Sequence, residues 1–165
     1  MKKIIIAAFL LLFAGTIEAQ SDRDKDFAKE ATEGGLLEVK LGELAKSRGT
    51  TQEVRDLGSQ MVNDHSKANN ELKTLVASKN ISVPTSISEK GQKCYDKLAK
   101  KEGKAFDKAY THAMIKDHKK DLCKFKKEAK KGDDAELKSW ASNTVPTLEH
   151  HKEMSVNACK ALKKS

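Results

Sequence analysis

The chain has 165 residues, 34% of them charged, and a formal net charge of +8. This length suffices for one domain with a substantial core, and only 5% of the residues are aromatic. The sequence contains no P-loop, no glycine-rich nucleotide fingerprint and no recognisable Ser-His-Asp arrangement. It therefore gives no positive evidence for an enzyme, and we expect a non-enzymatic protein.

The first 19 residues have the layout of a secretory signal peptide. Lys2 and Lys3 precede an apolar run at 4–14, and Ala19 is a small residue at the expected cleavage point. A membrane-spanning helix needs about 20 apolar residues, so this run is too short to be one. We therefore expect a mature domain at 20–165 that is exported to the periplasm or the envelope and has no transmembrane span.

Two long helices are predicted in the first half of the mature chain, where apolar residues recur at spacings of three and four. The first spans about 24–46 and ends at Gly49, a typical helix-stop residue. The second begins at Thr50, which forms a capping box with Glu53, and fades near Asn80. The short turn between them predicts an antiparallel hairpin.

A long connection of about 24 residues follows the second helix. It contains Pro84 and a capping box formed by Ser86 and Glu89, which predicts a short helix inside the connection.

Two further long helices are predicted in the second half. The third follows Gly103 and stops at Gly132, and a capping box of Asp133 and Glu136 opens the fourth. Pro146 lies inside the fourth helix and should kink it. This pair should also be an antiparallel hairpin.

Two hairpins joined by one long connection are typical of ferritin-like bundles. We therefore predict an all-α, ferritin-like four-helix bundle, with a short helix in the connection between helices 2 and 3. An up-down-up-down bundle with an irregular loop is the alternative.

Four polar residues fall on the apolar faces of these helices and near their midpoints. They are Glu38, His65, His118 and His151, one from each long helix. Imidazole and carboxylate groups bind zinc, iron, copper or manganese, depending on geometry. We therefore predict a metal site at mid-bundle, although the Glu-x-x-His motifs of ferritin-like di-iron centres are absent.

Two other interpretations of the histidines use the same residues. Neutral core histidines satisfied by hydrogen bonds would need no metal, and a histidine cluster that protonates would loosen the bundle near pH 5–6. Asp64 and Asp117 each precede a histidine in a shared Met-aliphatic-x-Asp-His-x-Lys frame. They either hold the imidazoles in place or face solvent.

Several segments resemble, in order, the bacterial family called domain of unknown function 4142. They are the runs 27–45, 61–72 and 103–110, the pair Asp117 and His118, and the segment 145–151. The resemblance covers nearly all of the mature chain. It implies a ferritin-like fold and an exported, envelope-associated location, since members are often labelled outer membrane proteins. It implies no established activity.

A lysine-rich segment suggests a second class of function. Residues 97–131 contain 13 lysines and five acidic residues, which predicts a surface that binds anionic lipid or polysaccharide of the envelope. Nucleic acid is not an expected partner, because arginine and interleaved aromatic residues are lacking. A purely structural or stress-related role is the remaining alternative.

The three cysteines, Cys94, Cys123 and Cys159, lack Cys-x-x-Cys spacing. Export would permit one disulfide among them. The other interpretation is that at least one is a small buried hydrophobic residue.

Overall fold

The computed structural model describes residues 21–163, and every regular element in that range is a helix. The five helices are α1 (Asp22–Arg48), α2 (Gln52–Ala77), α3 (Glu89–Ala99), α4 (Gly103–Lys131) and α5 (Ala135–Ala161). The all-helical class and the short helix α3 within the long connection are thus confirmed. Between residues 21 and 163, no helix is long and apolar enough to cross a membrane. The predicted signal peptide lies outside the described residues.

The first hairpin, α1 with α2, is packed closely because glycines let the two backbones touch. A Cβ atom added to Gly42 would lie 2.8 Å from the carbonyl oxygen of Gly58. A Cβ atom added to Gly58 would lie 2.6 Å from the backbone nitrogen of Lys46. Any larger residue at these two positions would push the helices apart.

Two buried aspartates, one in each hairpin, bind the turn of the other hairpin. Asp24, near the start of α1, accepts hydrogen bonds from the backbone N–H groups of Asp133 (3.1 Å) and Asp134 (2.7 Å). Asp107, near the start of α4, accepts from the backbone N–H of Thr50 with both carboxylate oxygens at 3.1 Å. We call Asp24 and Asp107 the reciprocal caps. Their contacts show that α1 and α4 run antiparallel.

The other neighbouring pair, α2 and α5, is also antiparallel. Lys79, just after the end of α2, binds Asp134 at 2.7 Å and Glu136 at 2.6 Å at the start of α5. Because α4 starts at the opposite end of the molecule from the end of α2, the connection at 78–102 must run along its length. Within that connection, α3 packs on the core through Leu98 and Tyr95.

Three helices begin one or two residues later than their predicted capping boxes. The residues whose side chains accept from the first-turn N–H groups are Thr51, Ser88 and Asp134. Thr50 and Asp133 are displaced from that role because the reciprocal caps, Asp107 and Asp24, bind their backbone N–H groups.

The interior is mostly apolar, with one polar layer near its middle. Apolar side chains predicted to face inward are buried, including Leu57, Met61, Tyr110, Met114 and Leu148. The three cysteines are unpaired in the structure, and none is fully buried. The structure therefore has neither a disulfide among the three cysteines nor a fully buried cysteine.

Candidate metal centre

Glu38 of α1, His65 of α2, His118 of α4 and His151 of α5 converge in the polar layer. The exposed fractions of these four residues are only 1%, 7%, 0% and 0%, respectively. The three imidazole centroids lie 5.1 to 5.6 Å from one another. One ring nitrogen from each histidine lies within 4.8 Å of the other two. All four residues predicted from the sequence thus occupy one place in the fold.

Two of the imidazoles have one nitrogen fixed by an acceptor. Nε2 of His151 lies 2.7 Å from Oδ2 of Asp64, and Nδ1 of His118 lies 3.0 Å from the carbonyl oxygen of Met114. A carbonyl and a carboxylate accept hydrogen bonds, so each of these nitrogens carries the proton. The remaining nitrogen of each neutral ring is then a bare lone pair.

The bare nitrogens face one another. Nε2 of His118 lies 3.2 Å from Nδ1 of His151, a contact with no proton to share when both rings are neutral. On the third ring, Nδ1 of His65 lies 3.2 Å from Oε2 of Glu38. Nε2 of His65 is buried and has no hydrogen-bond partner. Two lone pairs and the unpartnered Nε2 of His65 therefore converge, an arrangement that a bound cation would satisfy.

At neutral pH, a second proton on one of these rings does not readily take the place of a cation. Burial lowers the pKa of His118 to about 4, assisted by the neighbouring His151. Burial also lowers the pKa values of His65 and His151, with further lowering of His65 by the other two rings. Neutral imidazoles are the form that binds metal ions.

Asp64 and Asp117 occupy different environments despite their shared sequence frame. Burial alone would raise the pKa of Asp64, but hydrogen bonds from Gln60 and His151 hold it below its ordinary value. Asp64 thus orients an imidazole on a neighbouring helix, as one of the two sequence interpretations proposed. Asp117 instead lies next to Glu38, where burial raises its pKa.

Glu38 connects the histidines to a group of carboxylates. Its Oε1 lies 3.3 Å from Nδ1 of His118 but forms no hydrogen bond. Burial, followed by the charges of Asp121 and Asp117, raises its pKa well above the ordinary value. Asp121 was not singled out from the sequence. Its position four residues after Asp117 and three after His118 could have indicated it.

A polar groove on the surface reaches Asp64, the hydrogen-bond partner of His151. It has a volume of about 360 Å³ and lies between α2 and α5, with Asp64, Glu71, Trp140 and Thr144 among its lining residues. Asp64 belongs to both the groove and the hydrogen-bond chain. It therefore forms the outer end of the site.

The lysine-rich segment lies largely on the exposed side of α4. Its exposed lysines include Lys104, Lys108, Lys116, Lys119, Lys120 and Lys127. Two further lysines of this helix bind acidic residues on neighbouring helices: Lys124 to Glu30 and Lys126 to Glu149, at 2.7 and 2.6 Å. A basic surface is thus present.

Comparison with known proteins gives a family and a fold. No curated protein matches the sequence. The fold is similar to the crystal structure of a DUF305 fragment from Deinococcus radiodurans, with a TM-score of 0.74 and 11% identity, covering 88% of this chain and 99% of that one. At this identity the likeness shows the fold alone. Residues 14–157 match the family described as a domain of unknown function, DUF4142. The chain therefore belongs to the DUF4142 family.

Proposed function

We propose that this protein binds a transition-metal ion through Nε2 of His65, Nε2 of His118 and Nδ1 of His151. The observation that carries the proposal is the convergence of three buried ring nitrogens, two of them lone pairs that face each other and the third without a hydrogen-bond partner. A cation satisfies all three at once, whereas neutral core histidines would normally pair donor with acceptor.

The spacing of the nitrogens supports this role. Two nitrogens that bind one tetrahedral zinc ion at about 2.0–2.1 Å lie roughly 3.3 Å apart, close to the 3.2 Å between His118 and His151. Imidazole donors without sulfur suit zinc, copper or iron, and manganese where carboxylates assist. A fourth position is left for water or another ligand.

In this proposal, Glu38 and Asp64 orient the ligands. Asp64 accepts a hydrogen bond from Nε2 of His151, which fixes the tautomer and raises the basicity of that ring. Glu38 lies 3.2 Å from Nδ1 of His65 and would orient that ring in the same way. The sequence placed Glu38 among the ligands themselves. Its contact with His65 favours the orienting role.

We also infer a ferritin-like four-helix arrangement and an exported location. Antiparallel neighbours joined by one long connection support the first. The basic start and short apolar run at 1–19 support the second. Fusing residues 1–19 to a reporter and measuring its secretion tests the location.

Elemental analysis of protein purified without chelators tests the metal site. We expect near-stoichiometric zinc, copper or iron in the native protein and little of that metal in His65→Ala/His118→Ala. The matched control is His112→Ala/His150→Ala, because both of these histidines are exposed. Native protein that contains no metal and takes up no added zinc, copper, iron or manganese would overturn the proposal.

A second candidate function uses the exposed lysines of α4. Their one-sided placement supports binding to anionic lipid or polysaccharide of the envelope. Such binding should weaken with salt and be unaffected by the histidine substitutions. Vesicles containing anionic lipid separate it from the metal site, because only lysine reversal should then abolish binding.

A further inference from the structure

A group of carboxylates adjoins the histidines between α1 and α4. One oxygen from each of Glu38, Asp117 and Asp121 lies within 4.8 Å of the other two. Asp117 and Asp121 are four residues apart and so lie on one face of α4, where both are half-buried. Three ionised carboxylates this close repel one another strongly. Burial raises the pKa of each, so either a proton or a bound cation must relieve the repulsion.

Lysine side chains do not fill that role directly. In the described part of the chain, no lysine lies within 4.0 Å of a carboxylate oxygen of Asp117 or Asp121. Lys124, the nearest lysine after Asp121 in sequence, binds Glu30 at 2.7 Å instead. The charges of Lys120 and Lys124 partly offset the repulsion within the group, but no lysine among the described residues is in direct contact with the oxygens of Asp117 or Asp121.

Glu38 provides the independent observation. Only 1% of Glu38 is exposed, and its Oε1 has no hydrogen-bond partner. A buried carboxylate oxygen without a partner is costly. Gly34, one turn earlier on α1, leaves room beside it, because a Cβ atom there would meet nothing within 4 Å. A helical side chain leans towards the preceding turn, so Glu38 lies on the side of this space.

We propose that Glu38, Asp117 and Asp121 form a second cation site, which shares Glu38 with the histidine site and binds a hard divalent cation. Carboxylate oxygens suit magnesium, manganese and calcium, whereas three imidazoles suit more polarisable ions. This second site shares only Glu38 with the histidine site of the proposed function. The carboxylate site itself requires none of the histidines.

The test counts two different ions in one protein. Purified protein is loaded with one equivalent of Zn²⁺, and Mn²⁺ is then titrated while electron paramagnetic resonance measures the free Mn²⁺. We expect one bound Mn²⁺ per chain. In Asp117→Asn/Asp121→Asn, Mn²⁺ binding should weaken about tenfold or more, because the ligand charge is reduced, while Zn²⁺ content is unchanged. Asp22→Asn/Asp26→Asn makes the same charge change at exposed positions of α1 and should keep Mn²⁺ binding.

The outcomes separate this inference from the proposed function. Protein that keeps Zn²⁺ but binds no Mn²⁺, or binds it equally well after Asp117→Asn/Asp121→Asn, overturns the second site and leaves the histidine site standing. Mn²⁺ binding that needs these aspartates, in native protein that takes up no zinc, copper or iron, supports the second site and overturns the first. His65→Ala/His118→Ala should lose Zn²⁺ and keep Mn²⁺.

Discussion

Asp64 Oδ2 lies 2.7 Å from Nε2 of His151, and this contact decides which nitrogen of the ring faces the other histidines. Because the carboxylate holds the proton on Nε2, Nδ1 presents its lone pair to His118. Asp64 should therefore act on metal binding through His151, without touching the ion.

Asp64→Asn should weaken Zn²⁺ binding by about 10- to 100-fold, the usual effect of losing a residue that orients a metal-binding histidine. Isothermal titration with Zn²⁺ measures it. Asp56→Asn is a matched control on α2, since the carboxylates of Asp56 and Asp64 each accept from a glutamine four residues earlier at 2.7 Å. Equal Zn²⁺ affinities in the two variants would contradict an orienting role for Asp64.

The helices and the faces of the four central residues could be predicted because both depend on local periodicity. Glu38 and His65 lie on apolar stripes whose spacing is visible in the sequence. The different roles of Asp64 and Asp117 could not, since they depend on which helix packs beside each residue. The N-cap residues of α2 and α5 were predicted one residue too early for the same reason. Asp107 binds Thr50 from 57 residues away in the chain, and no local pattern indicates such a contact.

The lowered pKa of His118 gives the stability a definite pH dependence. Below about pH 6.5, the unfolded chain takes up a proton at this histidine, whereas the folded protein does so only near pH 4. Stability from the neutral ring is therefore present above pH 6.5 and is lost as the pH falls towards 4. Loosening due to His118 should accordingly come nearer pH 4 than the pH 5–6 expected from the sequence.

Metal-free wild type should lose about 3 kcal/mol of its unfolding free energy relative to His118→Gln between pH 6.5 and 4. Urea unfolding at several pH values measures this difference. Carboxyl groups with raised pKa values, such as Asp121 at about 7, act in the opposite direction, but both proteins contain them. His112→Gln is the control at an exposed position of α4. A difference independent of pH would show that His118 titrates alike in both states.

Glu128 should have the opposite pH dependence. Burial and the neighbouring Asp24 carboxylate raise its pKa to about 7, so the folded protein holds its proton while the unfolded chain has lost it above about pH 4.3. Stability from this group is therefore lost as the pH rises from about 4.3 to 7.

Glu128→Gln, which cannot ionise, should gain stability relative to wild type across this pH range. We expect a gain on the order of 1 kcal/mol, kept small by solvent screening because Glu128 borders a solvent-open pocket. Thermal unfolding between pH 4 and 8 measures it. Glu153→Gln is the same change at an exposed site. Lower stability of Glu128→Gln at pH 8 would contradict the prediction.

The reciprocal caps should each stabilise the fold substantially. Asp24→Ala or Asp107→Ala leaves backbone N–H groups of the opposite turn without an acceptor, at a cost of about 1–3 kcal/mol each. Because the two caps lie at opposite ends of the molecule, their effects should add within about 0.5 kcal/mol. Urea unfolding of both single variants and the double variant measures this. Asp26→Ala, at an exposed site of α1, should change stability little.

The glycines of α1 offer two identical substitutions with opposite expected results. Gly34→Ala places its methyl group where no atom lies within 4 Å, so it should stabilise the helix by up to about 1 kcal/mol through helix propensity alone. Gly42→Ala places its methyl group 2.8 Å from the carbonyl oxygen of Gly58 and 3.1 Å from Cβ of Met61. Backbone cannot move aside as a flexible side chain can, so we expect a loss of about 1–3 kcal/mol from overpacking. Thermal unfolding of the two variants measures both effects. A stabilising Gly42→Ala would mean that α1 and α2 can separate freely, contrary to their close packing.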